Sequence, residues 1–111
     1  MPTRRGDVVA VAISGDYGKP RPAVIVQTDV IPDDHPSVVV CQMTSELFEV
    51  SRFRITIEPT AENGLRTRSQ VMADKPTTVR RDRIGQSIGR LGRAEMAQLD
   101  LALVIVMGLA D

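Results

Sequence analysis

Short runs of apolar residues, several of them alternating with polar ones, divide most of this chain into segments of strand length. Runs rich in valine and isoleucine and bounded by glycine, proline or aspartate are typical of β-strands. The run 37–43, SVVVCQM, is almost continuously apolar and predicts a central strand, whereas 52–57, RFRITI, alternates and predicts one solvated face. The full pattern predicts strands at 7–13, 23–28, 37–43, 52–57, 69–73, 77–83 (with a turn) and 84–91.

The last part of the chain has a different period. Apolar residues recur at helical spacing across 93–107, which contains no proline or glycine, and Gly108 is placed to cap the helix. Leu101, Val104 and Ile105 widen the apolar surface, which predicts burial against both the sheet and a second surface. Short strands followed by one helix predict a mostly β fold with α, a small antiparallel β-barrel with a C-terminal helix. The length predicts a single domain, 1–111.

Composition removes several classes of function. Aromatic residues make up only 3% of the chain, which argues against a base-stacking nucleic-acid platform. Cys41 is the only cysteine and lies in an apolar run, so we expect a buried thiol and neither a disulfide nor a multi-cysteine metal site. His35 is the only histidine, which argues against a serine–histidine–aspartate triad or a histidine-rich metal site. We expect no cofactor.

The net charge of zero hides an uneven distribution. Between residues 7 and 62 there are four bases and nine acids, a net charge of −5, and between 66 and 93 there are eight bases and two acids, a net charge of +6. This asymmetry favours an anionic partner for the second half, although a solvated charged surface would have the same composition. No apolar run is long enough to cross a bilayer and 1–7, MPTRRGD, lacks the core of a signal peptide, so we expect a cytoplasmic protein.

The stretch 15–27, GDYGKPRPAVIVQ, holds an arginine where a glycine loop enters a strand. Pro20 and Pro22 flank Arg21 and restrict the local backbone to extended or turn conformations. A guanidinium held in this way suits a phosphate or a carboxylate. Pairing of Arg21 with a surface acid is the simpler alternative.

Four stretches of the chain, in order, resemble the MazF/PemK toxins of bacterial toxin–antitoxin pairs. They are RRGDVVAV, KPRPAVIVQTD, VCQMTS and DKPTTVRRDRIGQSIGRLGRAEMAQLDLAL, and they cover nearly the whole sequence. The resemblance implies an SH3-like (MazF/CcdB-like) barrel that forms homodimers and acts as an mRNA interferase, a metal-independent endoribonuclease on single-stranded RNA. It also implies a cognate antitoxin, and the basic second half predicts that this partner has an acidic segment.

The resemblance also implies roles for individual residues. Arg21 matches a catalytic arginine, and Thr44 matches the hydroxyl residue that MazF-like members use with it at the scissile phosphate. Asp74 matches an aspartate that PemK-like members use as a base or orienting group, but Met72 stands where those members have a second arginine. This difference favours the arginine–threonine arrangement. A backbone-bonding strand end for Thr44 and a turn-capping carboxylate for Asp74 are the structural alternatives.

Cleavage by this arrangement needs little chemistry from the protein, because RNA supplies its own nucleophile in the 2′-hydroxyl next to the scissile phosphate. The protein helps to remove that proton and stabilises charge on the phosphoryl oxygens. The basic triplet Arg80, Arg81 and Arg83 fits a phosphate-tracking surface, and salt bridges to a second subunit or to the antitoxin fit it equally. The predicted RNA-binding residues are Tyr17, Lys19, Ser45, Lys75, Arg80, Arg81 and Arg83.

Two other functions fit the same fold. The related CcdB toxins bind DNA gyrase and depend on an aromatic–glycine–isoleucine end, whereas this chain ends in MGLAD and has no tryptophan. A homologue that retains only antitoxin binding is the other alternative.

Overall fold

Six strands, a short 3-10 helix and a C-terminal α-helix make up the described part of the chain, which is residues 3–13, 19–48 and 52–110 of a computed structural model. The strands are β1 (Asp7–Val11), β2 (Arg21–Ile25), β3 (Ser37–Thr44), β4 (Arg54–Ile57), β5 (Ser69–Arg80) and β6 (Ile84–Arg90). The 3-10 helix spans Arg81–Arg83 and the helix α1 spans Arg93–Val106. All strand pairs are antiparallel, in the order β4-β5-β3-β2-β1-β6.

Both faces of the sheet are apolar, which is why the central strands read as nearly continuous apolar runs. One face, with Val8, Val24 and Cys41, packs against α1 through Leu99 and Ala102. The other face forms a second core from seven buried residues: Val9, Val11, Ala23, Ile25, Val38, Val40 and Val79. Side chains alternate between the faces with the period of two that strands impose.

The sheet is curled so that the segment after β4 reaches β6. The backbone N–H of Arg90 donates to the carbonyl of Glu62 at 3.0 Å. Gly64 has a positive φ of 70°, and a Cβ there would lie 2.1 Å from the carbonyl oxygen of Ile88. Within the described residues β4 and β6 are the edges of an open ladder, and the loop 58–68 lies across the gap between them. The predicted class, mostly β and antiparallel with a C-terminal helix, is confirmed.

Two strand boundaries differ from the pattern in ways that matter for function. The strand predicted at 23–28 begins at Arg21, because Val11 pairs with Arg21 in the β1–β2 ladder. The strands predicted at 69–73 and 77–83 are a single strand, β5, that runs through Pro76. Between Val71 and Pro76 β5 has four residues where β3 has only one, and a proline is tolerated beside such a bulge.

The helix α1 ends where the pattern places its cap. Gly108 has a φ of 73°, and the N–H of Leu109 donates to the carbonyl of Val104 at 2.9 Å, which is the hydrogen bond of a Schellman cap. Only Leu99 and Ala102 are fully buried on the helix, whereas Leu101 is 64% exposed. No helix in the described ranges is both long enough and apolar enough to cross a membrane.

Candidate active site

Strand pairing brings the two main candidate residues together. In the β2–β3 ladder Ala23 pairs with Gln42 and Val24 with Cys41. The same register continued by two residues places Arg21, the first residue of β2, opposite Thr44, the last residue of β3. The alternation of side chains then puts both on one face of the sheet. Arg21 is exposed and Thr44 is half-buried.

The hydroxyl group of Thr44 is oriented by the chain that follows it. Its Oγ1 accepts the backbone N–H of Glu46 at 3.1 Å. This is the local backbone bond that the sequence left open as an alternative for Thr44. A hydroxyl has two acceptor positions and one donor, so the hydroxyl proton of Thr44 remains available to donate to a phosphate oxygen.

Asp74 is held by an arginine from the neighbouring strand. The Nε of Arg54 donates to Oδ1 of Asp74 at 3.0 Å, and its Nη2 lies 3.5 Å from Oδ2. The Arg54 side chain is only 12% exposed, and its guanidinium lies 5.0 Å from the centre of the Phe48 ring. Arg54 also pairs with Met72, the residue that stands where the resemblance gives PemK-like members a second arginine. With both carboxylate oxygens facing Arg54, Asp74 is suited to orienting a neighbour.

A buried glutamine holds the loop that leaves Thr44. Gln70 is 3% exposed. Its Oε1 accepts the N–H of Phe48 at 3.1 Å, and its Nε2 donates to the carbonyl of Phe48 at 2.9 Å and to Oγ1 of Thr56 at 3.1 Å. Sequence reasoning missed Gln70 and Arg54. The one available signal was a large amide side chain inside the otherwise apolar run of β5.

A cavity of about 520 Å³ opens beside Arg21. Arg66 brings a second guanidinium to it, and Gln86 and Ser87 of β6 bring polar groups. Apolar walls come from Pro20, Pro22, Leu65 and Ile88, among others. A cavity of this size with a few polar groups suits a small organic group such as one nucleotide.

The other candidate RNA-binding residues fall into two regions. Lys19, Ser45 and Lys75 are exposed, the first two within two residues of Arg21 or Thr44 in the chain. Tyr17 lies outside the described residues.

Two residues of the basic triplet lie elsewhere. Arg80 pairs with Ser37 at the start of β3, whereas Thr44 ends that strand. Seven residue steps along a strand span about 23 Å. Arg80 forms an ion pair with Asp82, and Arg81 donates to the carbonyl of His35 at 2.7 Å. Within one chain Arg80 and Arg81 therefore lie away from the Arg21–Thr44 end of the sheet. Arg83 differs, because it precedes Ile84, and Ile84 pairs with Val11, the residue of β1 that pairs with Arg21.

The thiol of Cys41 is structural. It is fully buried, and burial, helped by the negative charge of Asp74 and opposed by the charge of Arg5, raises its pKa from 9.0 to about 11. At neutral pH the thiol is therefore protonated and a poor nucleophile. Within residues 3–13, 19–48 and 52–110, no group of three histidine, cysteine, aspartate or glutamate side chains is placed to hold a metal ion.

A sequence model of the PemK-like, MazF-like toxins of type II toxin–antitoxin systems matches residues 4–107. The chain belongs to this family. The resemblance found in the sequence is thereby confirmed for the toxin family as a whole.

Individual members of the PemK/MazF family agree in sequence and in fold. A probable endoribonuclease MazF of Mycolicibacterium smegmatis is 43% identical over 108 residues, covering 96% of this chain and 98% of that protein. A mycobacterial endoribonuclease in complex with its cognate antitoxin has the same fold, with a TM-score of 0.83 at 22% identity and 98% coverage of both chains. The Mycobacterium tuberculosis toxin MazF-mt6 superposes with a TM-score of 0.80 at 22% identity, over 95% of this chain and 99% of that one.

Proposed function

We propose that this chain is the toxin of a type II toxin–antitoxin pair and that it cleaves single-stranded RNA without a metal ion, as an mRNA interferase that inhibits growth. The observation that supports the proposal is the register of β2 and β3, which pairs Ala23 with Gln42 and, continued by two residues, brings Arg21 and Thr44 to adjoining strand ends. A permanent cation and a hydroxyl donor side by side match the charge that develops on a phosphoryl group in transfer. The MazF relative, named as an endoribonuclease, supports the same chemistry.

In the proposed reaction the RNA 2′-oxygen attacks the adjacent phosphorus as its proton passes to solvent. The bond from phosphorus to the 5′-oxygen breaks, and the 5′-oxygen takes up a proton from solvent. Arg21 donates N–H hydrogen bonds to the non-bridging oxygens, and the hydroxyl of Thr44 donates one hydrogen bond to the same phosphoryl group. Asp74, held by Arg54, orients the groups around the site. The products are a 2′,3′-cyclic phosphate, or its hydrolysed form, and a 5′-hydroxyl.

The same site indicates which residues contact the RNA. RNA flanking the scissile phosphate meets Lys19, Ser45 and Lys75, and one nucleotide occupies the cavity beside Arg21, with Tyr17 proposed as a further contact.

We propose one domain, 1–111, acting in the cytoplasm, where its RNA substrate is found. We also propose a homodimer as the active form and an antitoxin with an acidic segment as its inhibitor, in line with the antitoxin complex of the mycobacterial relative.

The test is cleavage of a mixed-sequence single-stranded RNA by the purified chain in excess EDTA. We expect fragments that end in a cyclic phosphate, and we expect a perfect duplex of the same sequence to resist, because its 2′-hydroxyl is not free to align with the leaving oxygen. A requirement for added divalent metal would overturn the mechanism. Absence of cleavage by a folded protein that still binds its antitoxin would identify the chain as an inactive, antitoxin-binding homologue.

A further inference from the structure

Gln70 is one of three buried polar residues in the described chain, and its environment is unusual for a strand residue. It lies in β5 between two partners, Thr44 on β3 and Thr56 on β4. A buried amide needs hydrogen-bond partners, since leaving one unmade costs more than an ordinary bond contributes. The side chain of Gln70 finds most of its partners in a loop outside the sheet.

That loop is the segment 45–48, which follows Thr44 directly. The amide of Gln70 accepts from the N–H of Phe48 at 3.1 Å and donates to the carbonyl of Phe48 at 2.9 Å. A side-chain amide carries the same donor and acceptor as a peptide group, so this reciprocal pair resembles one rung of a β-ladder. The second N–H of the amide donates to the hydroxyl of Thr56 at 3.1 Å, a bond that does not involve the loop.

The segment 44–48 is therefore attached to Gln70 at both ends. The backbone of Gln70 pairs with Thr44, and its side chain holds Phe48. Between these two points the N–H of Glu46 donates to the Thr44 hydroxyl at 3.1 Å. The position of the Glu46 N–H depends on the path of the loop. Because that N–H occupies one lone pair of the Thr44 oxygen, it restricts the directions in which the hydroxyl proton can point.

We propose that Gln70 is a positioning residue for RNA cleavage: it clamps the loop 45–48 so that the Thr44 hydroxyl presents its proton to the phosphate. The proposal rests on the proposed role of Thr44. Gln70 acts through the loop and not on the substrate, so its loss affects the rate of the chemical step more than substrate binding. We expect the fold to survive its loss, because Phe48 and Thr56 are exposed residues whose freed polar groups can bind water.

The first experiment compares three variants in steady-state cleavage of a fluorogenic RNA. Gln70→Met keeps the volume and removes all three hydrogen bonds, whereas Thr56→Val, the matched control, removes only the bond outside the loop. We expect Gln70→Met to lower kcat about tenfold with KM nearly unchanged, because it loses the two hydrogen bonds to Phe48. The kcat of Thr56→Val should stay within about twofold of the wild-type value. Gln70→Glu, which still accepts from Phe48 but does not donate to it when ionised, should fall between them. A folded Gln70→Met variant with the kcat of the wild type would overturn the proposal.

The second experiment tests whether the effect passes through Thr44. In a Thr44→Ala background the hydroxyl is absent, so adding Gln70→Met should change the residual rate by less than about twofold. A general effect on folding or binding would multiply with the first change, as independent sites do. A further loss of about tenfold in that background would refute the route through Thr44.

The third experiment does not need activity. Hydrogen exchange at the Phe48 amide should be slow in the wild type, faster in Gln70→Met, and unchanged in Thr56→Val. If the wild type cleaves no RNA, the proposed function fails while this measurement still tests the clamp. Equal protection of the Phe48 amide in wild type and Gln70→Met would disprove it. Should Gln70→Met fail to fold, the steady-state comparison with Gln70→Glu serves in its place, since that variant keeps the bond from the Phe48 N–H but loses the bond to the Phe48 carbonyl, and an unchanged kcat would then refute the clamp.

Discussion

Two arginines near the candidate site, Arg21 and Arg54, differ in what surrounds them. Arg54 is almost buried, with its guanidinium between the carboxylate of Asp74 and the ring of Phe48. Arg21 is exposed at the entrance of β2, beside a cavity large enough for a nucleotide. Loss of Arg54 removes a nearly buried side chain together with its contacts to Asp74 and Phe48, so it is expected to affect folding, whereas loss of Arg21 is expected to affect chemistry.

The prediction for Arg21 is a loss of activity in a folded protein. Arg21→Ala should lower the single-turnover cleavage rate by about 10²–10³, the usual cost of removing a donor that stabilises transition-state charge, and it should abolish growth inhibition. Arg21→Lys should also be poor, because an ammonium cannot reproduce the guanidinium fork.

The matched control for Arg21 is Arg66→Ala, which removes the same charge from the wall of the same cavity. It should raise KM more than it lowers kcat. Circular dichroism checks that both variants are folded. Wild-type turnover by a folded Arg21→Ala protein would remove Arg21 from the site.

At the scale of elements, the strands and the helix that were predicted well are those whose sequence pattern lies within the segment itself. The central strand was expected at 37–43 and spans Ser37–Thr44, and the helix was expected at 93–107 and spans Arg93–Val106. Continuous apolar runs and helical spacing are properties of the segment itself. The division of β5 was wrong, because Pro76 is a local sign of a turn, whereas the bulge that accommodates it depends on register with β3.

The residues of the candidate site differ in the same way in how far the sequence predicts them. Arg21 and Thr44 were named from motifs, and their proximity depends on a strand register that the motifs could only imply. Arg54 and Gln70 were not found, since their partners Asp74 and Phe48 lie 20 and 22 residues away in the chain. A long-range side-chain contact leaves no pattern in a single sequence.

The loop across the sheet edge makes a prediction about stability. Gly64→Ala should destabilise the protein strongly, because the new Cβ would lie 2.1 Å from a backbone oxygen of β6, in addition to the cost of a positive φ. Gly108→Ala is the control, since its φ of 73° is similar and nothing lies within 4 Å of its Cβ. We expect a loss of about 1–2 kcal/mol for Gly108→Ala and a clearly larger one for Gly64→Ala, measured by urea unfolding. Equal losses would show that the loop moves away without cost.

At the scale of the whole molecule, the uneven charge distribution is partly cancelled by folding. Arg90 pairs with Asp7 at 2.6 Å and Arg68 with Glu58 at 2.8 Å, so acids from the first half neutralise bases from the second. Arg80 and Arg81 nevertheless add cations at the far end of β3 from Thr44. A second copy of the chain, placed by a two-fold axis, can bring its own basic surface to the site of the first.

The surface of α1 provides a reason for such pairing. Leu101 is 64% exposed, and Leu109, just beyond the helix, is 76% exposed. Large apolar side chains left this exposed favour a surface that another chain covers. We therefore predict a symmetric homodimer whose combined basic surface binds RNA and is blocked by an acidic antitoxin segment.

This last prediction has two measurable parts. Sedimentation at micromolar concentration should give a dimer, and a monomer there would refute the pairing. A glutamate-rich peptide should inhibit RNA cleavage at about 0.05 M salt and much less at about 0.5 M, because screening weakens the attraction between its carboxylates and the arginines. A neutral glutamine-rich peptide of equal length is the control and should not inhibit. Inhibition by the acidic peptide that stayed constant across this salt range would mean that the antitoxin is recognised through apolar contacts alone.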